Sequence, residues 1–415
     1  MKRVNPAEIR GRARATPSKS MTQRAVFLSS LAEGKSTILH PSMCDDAAAA
    51  MRVVIGLGME IRAVEGDLVV GGRRAKVAGA TLDCGESGFC ARASIPLAAL
   101  FNAKFAITGH GTLAKRPLGP VEAPMKRLGA KCTAADGRLP ATVVGPMKGG
   151  STEIDGSCGS QFLSGLLMAL PSCPRDSHVA VSDLRSKPYA LMTIDMARKF
   201  GAKVGHDQTL SSFAIEGGQT LKPARVAIEG DWSGASFLLV AGALAGKVTV
   251  DHLDSKSLQP DRAILGILKD AGAKVNAFRG SATVEGAPLD GFEFDATDCP
   301  DLFPPLVALA TGCKGVSTIS GADRLRAKES DRASALYRQF KSIGADIKTA
   351  DDKIIVRGSI LRGGNAGSEG DHRMAMALAI AGLVSEKGVA IKNHECVSKS
   401  YPGFFGDLAR LAVKK

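Results

Sequence analysis

The sequence predicts an α/β protein of two similar domains, each made of three βαβαββ units with buried helices walled by sheets. Two periodic markers carry the prediction. An apolar-Gly-small turn recurs at Gly58, Gly129, Gly201, Gly272 and Gly344, spaced 71, 72, 71 and 72 residues apart. An Ala/Leu-rich helix opened by a polar residue recurs out of phase with it, from Ser20, Ser87, Ser160, Ser233, Asp301 and His372. Markers of different chemistry that share one period indicate a repeated unit.

Each element of the unit has a local reason. The recurring Gly stands where a left-handed helix C′ residue is expected, and in most copies Lys or Arg precedes it, which suits the negative helix end. Short apolar strands joined by polar turns follow, as in AKVNAFRGSATVEG and ADIKTADDKIIVRG. Segments such as SQFLSGLLMALP, SGASFLLVAGALAG and HRMAMALAIAGL are apolar on nearly every side, so they belong inside a domain. Six such units nearly exhaust the chain. The break falls near residue 228, with domain one at 1–16 plus 228–415 and domain two at 17–227. The strand before Thr16 and the segment after Lys399 lack complete units of their own and are expected to complete each other in one domain.

Composition narrows the function. Lys and Arg exceed Asp and Glu by 54 to 41, a net charge of +13, which fits an anionic partner. Aromatics are 5% and nowhere interleave with Arg or Lys as a base-stacking platform requires, so no nucleic-acid partner is expected. The basic opening MKRVNPAEIRGRARATPSKS lacks the apolar core of a signal peptide, and the longest apolar stretches fall short of the ~18 residues that span a bilayer. A cytoplasmic protein without a membrane partner is expected. Nine scattered cysteines without Cys-x-x-Cys, and histidines without His-x-x-x-His, indicate neither a disulfide framework nor a metal site. The P-loop, the Gly-x-Gly-x-x-Gly fingerprint and the Gly-x-Ser-x-Gly elbow do not occur, so nucleotide, dinucleotide and serine-hydrolase chemistries lose their usual signatures.

The helix starts are the candidate site. First-turn N–H groups lack intrahelical acceptors and lie at the positive end of the dipole, so each start is a latent anion site. Beside them stand Lys19, Ser20 and Arg24; Gly88 and Arg92; Ser160 and Gln161; Asp301; and Asp371, His372 and Arg373. A Ser or Asp there also serves simply as an N-cap. Loops add Arg116, Lys187 and Lys399, and RLRAKESDR adds Arg324, Arg326, Lys328 and Arg332 around Glu329 and Asp331. Lys328 and Arg332 are four apart, as on a salt-bridged helix face; the alternative is a cation cluster for phosphate and carboxylate oxygens, with carboxylates kept for proton transfer.

PSKSMTQRA, CGESGFCAR, KRPLGP, DGSCGSQFLSGLLMALP, RSKPY, CPD, RLRAKESDR, EGDHRMAMA and SKSYPGFF occur in this order along the whole chain. Together they resemble the 5-enolpyruvylshikimate-3-phosphate synthase (3-phosphoshikimate 1-carboxyvinyltransferase) family. The resemblance implies the inside-out α/β barrel of the enolpyruvyl transferase fold, with substrates bound in the interdomain cleft. It implies transfer of the enolpyruvyl group of phosphoenolpyruvate to the 5-hydroxyl of 3-phosphoshikimate, with release of phosphate, on the route to chorismate and the aromatic amino acids. No cofactor and no metal are implied, and a monomer is expected. Lys19, Asp301 and Glu329 match the family's catalytic positions. Lys19, Ser20, Arg24, Gly159, Ser160, Gln161, Ser186, Tyr189, Asp301, Arg324 and Lys328 match the 3-phosphoshikimate site. Lys19, Gly88, Arg116, Gln161, Arg332, Arg373 and Lys399 match the phosphoenolpyruvate site.

Four positions depart from the family pattern. Phe89 follows Gly88 where Thr is usual, Gly159 replaces the first of two serines, Gln23 replaces Asn or His, and Arg324 replaces Asn. Gly159 removes a hydroxyl but keeps a backbone donor, and Phe89 narrows the space beside the phosphoenolpyruvate site. Two rival functions are distinguishable. Enolpyruvyl transfer to UDP-N-acetylglucosamine typically goes with a Lys-Asn pair, whereas Lys19 is followed by Ser20. A non-catalytic polyanion binder on the same repeat needs only the charge, and has no use for Asp301 and Glu329 among cations.

Overall fold

The computed structural model describes residues 1–71 and 77–413. The chain divides into two compact units, Met1–Thr16 with Glu229–Lys415, and Pro17–Ile228. Ile228 donates its N–H to the Leu39 carbonyl and so falls with the second of these, one residue past the boundary read from sequence.

Within Pro17–Ile228, helices Lys19–Leu31, Gly88–Ala98 and Gln161–Ala169 are almost wholly buried. Amphipathic helices and three four-stranded sheets surround them. Each sheet opens with a parallel pair and continues antiparallel, as in 151–155, 177–182, 212–215 and 204–206. The order follows from connection length: the buried helix supplies the crossover that parallel strands need, and a short turn joins the hairpin. Arg225–Ala227, at the far end of the segment, pairs parallel with Ser36–Leu39 and supplies the opening strand of the first sheet.

The other unit repeats the plan around helices Trp232–Ala245, Phe303–Thr311 and His372–Val384. Ile9–Arg14 lies parallel to Gly246–Asp251 and opens the first of its sheets. The sixth copy departs from the expected repeat. Among the described residues it keeps its amphipathic helix, Phe404–Leu411, but lacks the closing hairpin, and Lys2–Val4 fills the antiparallel place beside Val389–Lys392 in a three-stranded sheet. Helix Phe404–Leu411 then ends near Ile9–Arg14, where Ile9 bridges Ala412. The two ends of the chain do complete each other, through strand pairing that composition does not display.

The five recurring glycines carry φ of +89, +87, +83, +99 and +103 in chain order, the left-handed conformation of a helix C′ residue. Two helix starts lie earlier than expected. Ser18 caps the helix that begins at Lys19, and Asp231 caps the helix that begins at Trp232, so Ser20 and Ser233 sit inside first turns. Asp301 belongs to a 3-10 turn, Pro300–Leu302, that runs into helix Phe303–Thr311.

Each unit has its own apolar core. Helices 88–98 and 161–169 approach closely at Gly165, where a Cβ would meet the Ala93 Cα at 2.7 Å and the Pro96 Cγ at 2.8 Å. Backbone on one side and a proline ring on the other leave no soft neighbour to yield. Gly165→Val is expected to lower stability by about 3 kcal/mol, read as a drop in the urea midpoint at constant m-value.

Among the described residues no helix is long and apolar enough to cross a membrane. All nine cysteines are unpaired.

Candidate active site

In Pro17–Ile228 the predicted residues gather at the N-terminal ends of the three buried helices. Lys19, 8% exposed, pairs with Asp46 at 2.8 Å. The Gln23 side-chain amide donates to the Asp46 carbonyl and to Ser87 Oγ, both at 2.9 Å, which ties helix 19–31 to the cap of helix 88–98. Arg24 is held entirely within the fold. Its Nε donates to Thr193 Oγ1 at 2.8 Å, Nη1 to the Ser20 carbonyl at 2.9 Å, and Nη2 to Ser164 Oγ at 3.4 Å and the Tyr189 carbonyl at 3.3 Å. The Phe89 ring lies 4.4 Å from its guanidinium carbon, within cation–π range. Burial lowers the Arg24 guanidinium to about 9, and it remains charged at neutral pH.

Arg92 fastens a second group, donating to the Gly88 carbonyl at 3.1 Å and to Gln161 Oε1 at 3.0 Å. Arg116 lies against the same glycine: a Cβ on Gly88 would meet its Nη2 at 2.7 Å. Arg116 is buried, yet its Nε and Nη1 have no acceptor among the described residues. Buried guanidinium donors without acceptors fit a site meant for an anion. Gly159, at φ +108, precedes Ser160 at the start of helix 161–169. Ser186 holds a left-handed conformation, φ 57 and ψ 44, immediately before helix Lys187–Lys199, which also carries Tyr189.

The other unit contains a largely buried ion network. Arg332 is fully buried and reaches Asp371 Oδ2 through Nε at 2.8 Å, Asp301 Oδ1 through Nη1 at 3.0 Å, and Glu329 through Nη2. Arg373 Nη2 lies 2.9 Å from Asp301 Oδ2, and Lys328 Nζ 3.9 Å from Asp301 Oδ1. Helix 332–342 begins only at Arg332, so Lys328 and Arg332 do not share a helix face; both turn to Asp301 instead. Asp371 caps helix 372–384 by accepting the Arg373 N–H at 2.9 Å. Lys399 donates to the Gly370 carbonyl at 2.8 Å, and Arg324 to the Thr297 carbonyl.

These contacts set the charges. Burial by itself raises the Asp301 carboxyl, but Arg373, Lys328 and Arg332 outweigh it and hold the group well below the usual carboxylate range. Burial opposes the charge on Arg332, and the carboxylates of Asp371, Glu329 and Asp301 more than restore it. Lys328 is lowered to about 8, by burial first and by the positive charges of Arg324 and Arg332 next. Among the described residues no group of His, Cys, Asp and Glu is arranged to hold a metal ion.

The motifs alone do not single out Asp46, Thr193, Ser164 or Asp261. Asp46 looks like any acidic residue in a helix first turn, and Thr193 and Ser164 like polar residues in apolar helices. Asp371 lies in a quoted motif but reads there as a simple cap. The signal that separates them is burial beside a cation, which a sequence does not record.

Two trios of buried helices, each walled by sheets that open with parallel strands, place the protein in the enolpyruvyl transferase class of folds. The EPSP synthase structure from Acinetobacter baumannii superposes with a TM-score of 0.82 at 24% identity, covering 99% of this chain and 98% of that one. The enolpyruvyl transferase NikO from Streptomyces tendae superposes at 0.74 with 16% identity, covering 99% and 96%. Sequence then narrows the class. The family model for EPSP synthase (3-phosphoshikimate 1-carboxyvinyltransferase) matches residues 4–408. The 3-phosphoshikimate 1-carboxyvinyltransferase of Clostridium kluyveri is 38% identical over 411 residues, 98% of this chain and 96% of the relative. That of Halobacterium salinarum is 37% identical, covering 99% and 98%. The chain belongs to the EPSP synthase family.

Proposed function

We propose that this protein carries out its family's reaction, transfer of the enolpyruvyl group of phosphoenolpyruvate to the 5-hydroxyl of 3-phosphoshikimate with release of phosphate, using residues of both units. The observation that carries the residue assignment is the buried Asp301–Arg332–Arg373 cluster with Glu329 beside it. A pure polyanion binder has no need of carboxylates that cancel its own cations, whereas proton transfer does.

Addition joins the 5-hydroxyl oxygen to C2 of phosphoenolpyruvate; the hydroxyl proton leaves and a proton arrives at the methylene carbon. Elimination breaks the bond to the phosphate oxygen and returns the methyl proton. Asp301 is assigned to the hydroxyl, Glu329 to the methylene carbon, and Lys19 to both substrates. Arg116, Arg332, Arg373 and Lys399, with Gly88, serve phosphoenolpyruvate. Ser20, Arg24, Gly159, Ser160, Ser186, Tyr189, Arg324 and Lys328 serve 3-phosphoshikimate, and Gln161 serves both. Each substrate brings a carboxylate and a phosphate of about −1.5 to −2 charge. Their binding competes for Arg332, Arg373 and Lys328, which releases Asp301 and raises its basicity once the substrates are in place. The two substrates suffice without a cofactor, and a monomeric cytoplasmic enzyme is the form proposed.

Phosphate release decides the matter, measured with phosphoenolpyruvate plus 3-phosphoshikimate, plus UDP-N-acetylglucosamine, and with neither acceptor. Release with 3-phosphoshikimate alone is expected. Release with the nucleotide sugar would reassign the acceptor, and none with either would leave a binding protein.

Lys328 adds a pH signature. Its ammonium is lost as pH rises through about 8, so the KM for 3-phosphoshikimate is expected to increase between pH 7 and 9. Lys328→Arg keeps its charge there and is expected to flatten that rise.

A further inference from the structure

Asp261 is a buried carboxyl for which the proposed reaction has no use. It is 1% exposed, and neither of its oxygens has a hydrogen-bond partner among the described residues. An acceptor pair left empty in the interior is costly unless something nearby draws on it. Its placement is firm: it lies in the 3-10 turn Pro260–Ala263, directly after Gln259. The Gln259 side chain accepts the Trp232 N–H at 3.1 Å and donates to the Gly230 carbonyl at 2.8 Å and to Glu229 at 2.7 Å. These bonds fasten the turn to the first residues of helix 232–245.

The second residue of that helix is Ser233. Its hydroxyl oxygen accepts from Arg373 Nη2 at 2.8 Å and from Arg373 Nε at 3.2 Å. A serine hydroxyl has two acceptor positions and one hydrogen. With both acceptor positions turned to one guanidinium, the hydrogen must point elsewhere; Ser233 is close enough to Asp261 to favour its ionised form, outside ordinary hydrogen-bond geometry. We propose that Asp261 is a positioning residue for Arg373: it draws the Ser233 hydroxyl hydrogen toward itself and so orients the oxygen that holds the guanidinium where it meets phosphoenolpyruvate. The inference rests on the assignment of Arg373 to that substrate.

The surroundings of Asp261 add a pH dependence. Burial, and next the Asp301 carboxylate, push its carboxyl up to about 7, with Asp231 acting in the same direction and Arg373 and Ser233 against it. Cys299 stands on the same side, its thiol pushed up by burial and then by Asp261 itself, so it adds no charge near neutrality. Below pH 7 Asp261 is a neutral acid and Asp301 balances Arg373. Above pH 7 a second negative charge retains Arg373 and opposes an anionic ligand, so the KM for phosphoenolpyruvate rises.

The test is steady-state kinetics of the full chain at pH 6.5 and 8.0 for Asp261→Ala, Ser233→Ala, the double variant, Asp261→Asn and Arg373→Ala. At pH 6.5, where Asp261 is largely neutral, Asp261→Ala and Ser233→Ala are each expected to raise the KM for phosphoenolpyruvate about tenfold, the scale of one lost hydrogen bond at the upper end of its range. The KM for 3-phosphoshikimate stays within about twofold, and the double variant is no worse than either single, since both act on one guanidinium. Asp261→Asn keeps an acceptor for Ser233 but no charge, so it recovers most of the loss and abolishes the rise in KM with pH. Additive losses, equal increases in both KM values, or a pH rise that survives in Asp261→Asn would overturn the proposal. If Asp261→Ala does not fold, Ser233→Ala and Asp261→Asn decide it alone. An Arg373→Ala enzyme with an unchanged KM for phosphoenolpyruvate would sink the assignment of Arg373 and the positioning role with it. A raised KM there, with silent Asp261 and Ser233 variants, would sink the positioning role only.

Discussion

Asp301→Asn is expected to slow turnover at least about a hundredfold while both KM values change little, the loss that follows removal of a general base. Asn keeps the shape of the side chain and one oxygen for Arg332 or Arg373, which lie 3.0 and 2.9 Å from the carboxylate. It cannot take a proton. The variant therefore separates the basic function of Asp301 from its part in holding the cations. Without substrates, three cations make Asp301 a very weak base, and a base in that condition works only if the substrates draw the cations away. Wild-type kcat with saturating substrates should accordingly show a higher apparent carboxyl pKa than the unliganded protein shows by titration. Near-normal turnover in Asp301→Asn would remove Asp301 from the mechanism.

Arg332→Ala is expected to cost about 3–5 kcal/mol of stability at pH 7, besides abolishing activity. The guanidinium is fully buried and reaches Asp371, Asp301 and Glu329 at once, so its loss leaves crowded carboxylates short of one cation. The pH dependence makes the prediction specific. In the wild type the folded pKa of Asp301 is depressed, so its contribution to stability is present above the ordinary carboxylate pKa near 4 and is lost as pH falls below it. In Arg332→Ala the remaining carboxylates repel one another and their pKa values rise; folding then improves as pH falls from 7 toward 5. Chemical denaturation of both proteins at pH 5 and 7 reads the difference directly. A pH-independent loss would mean that the cavity, and not the stranded charge, accounts for the cost.

Much of the fold is legible because it depends on local periods. The five C′ glycines need a left-handed backbone wherever the rest of the chain goes, and they turn up with that conformation. The apolar helices need cover on all sides, and they are buried. The truncated sixth copy is another matter: Lys2–Val4 becomes its antiparallel strand because a sheet edge nearly 400 residues away in sequence is open to pairing, and no local pattern marks that edge. Helix starts are shifted by two residues at Ser20 and Ser233 for a related reason, since Ser18 and Asp231 are equally good caps and packing chooses between them.

The site divides along the same line. The sequence by itself determined the repeat, the family and the list of cations and carboxylates that accompany it, because residue type and order suffice for those. Only the tertiary structure decided which charges meet. It joins Arg332 to carboxylates 3, 31 and 39 residues away, leaves Nε and Nη1 of Arg116 without acceptors among the described residues, sets the Arg24 guanidinium over the Phe89 ring, and buries Asp261. Burial and distance set the energy of a charge, and both are properties of the folded chain.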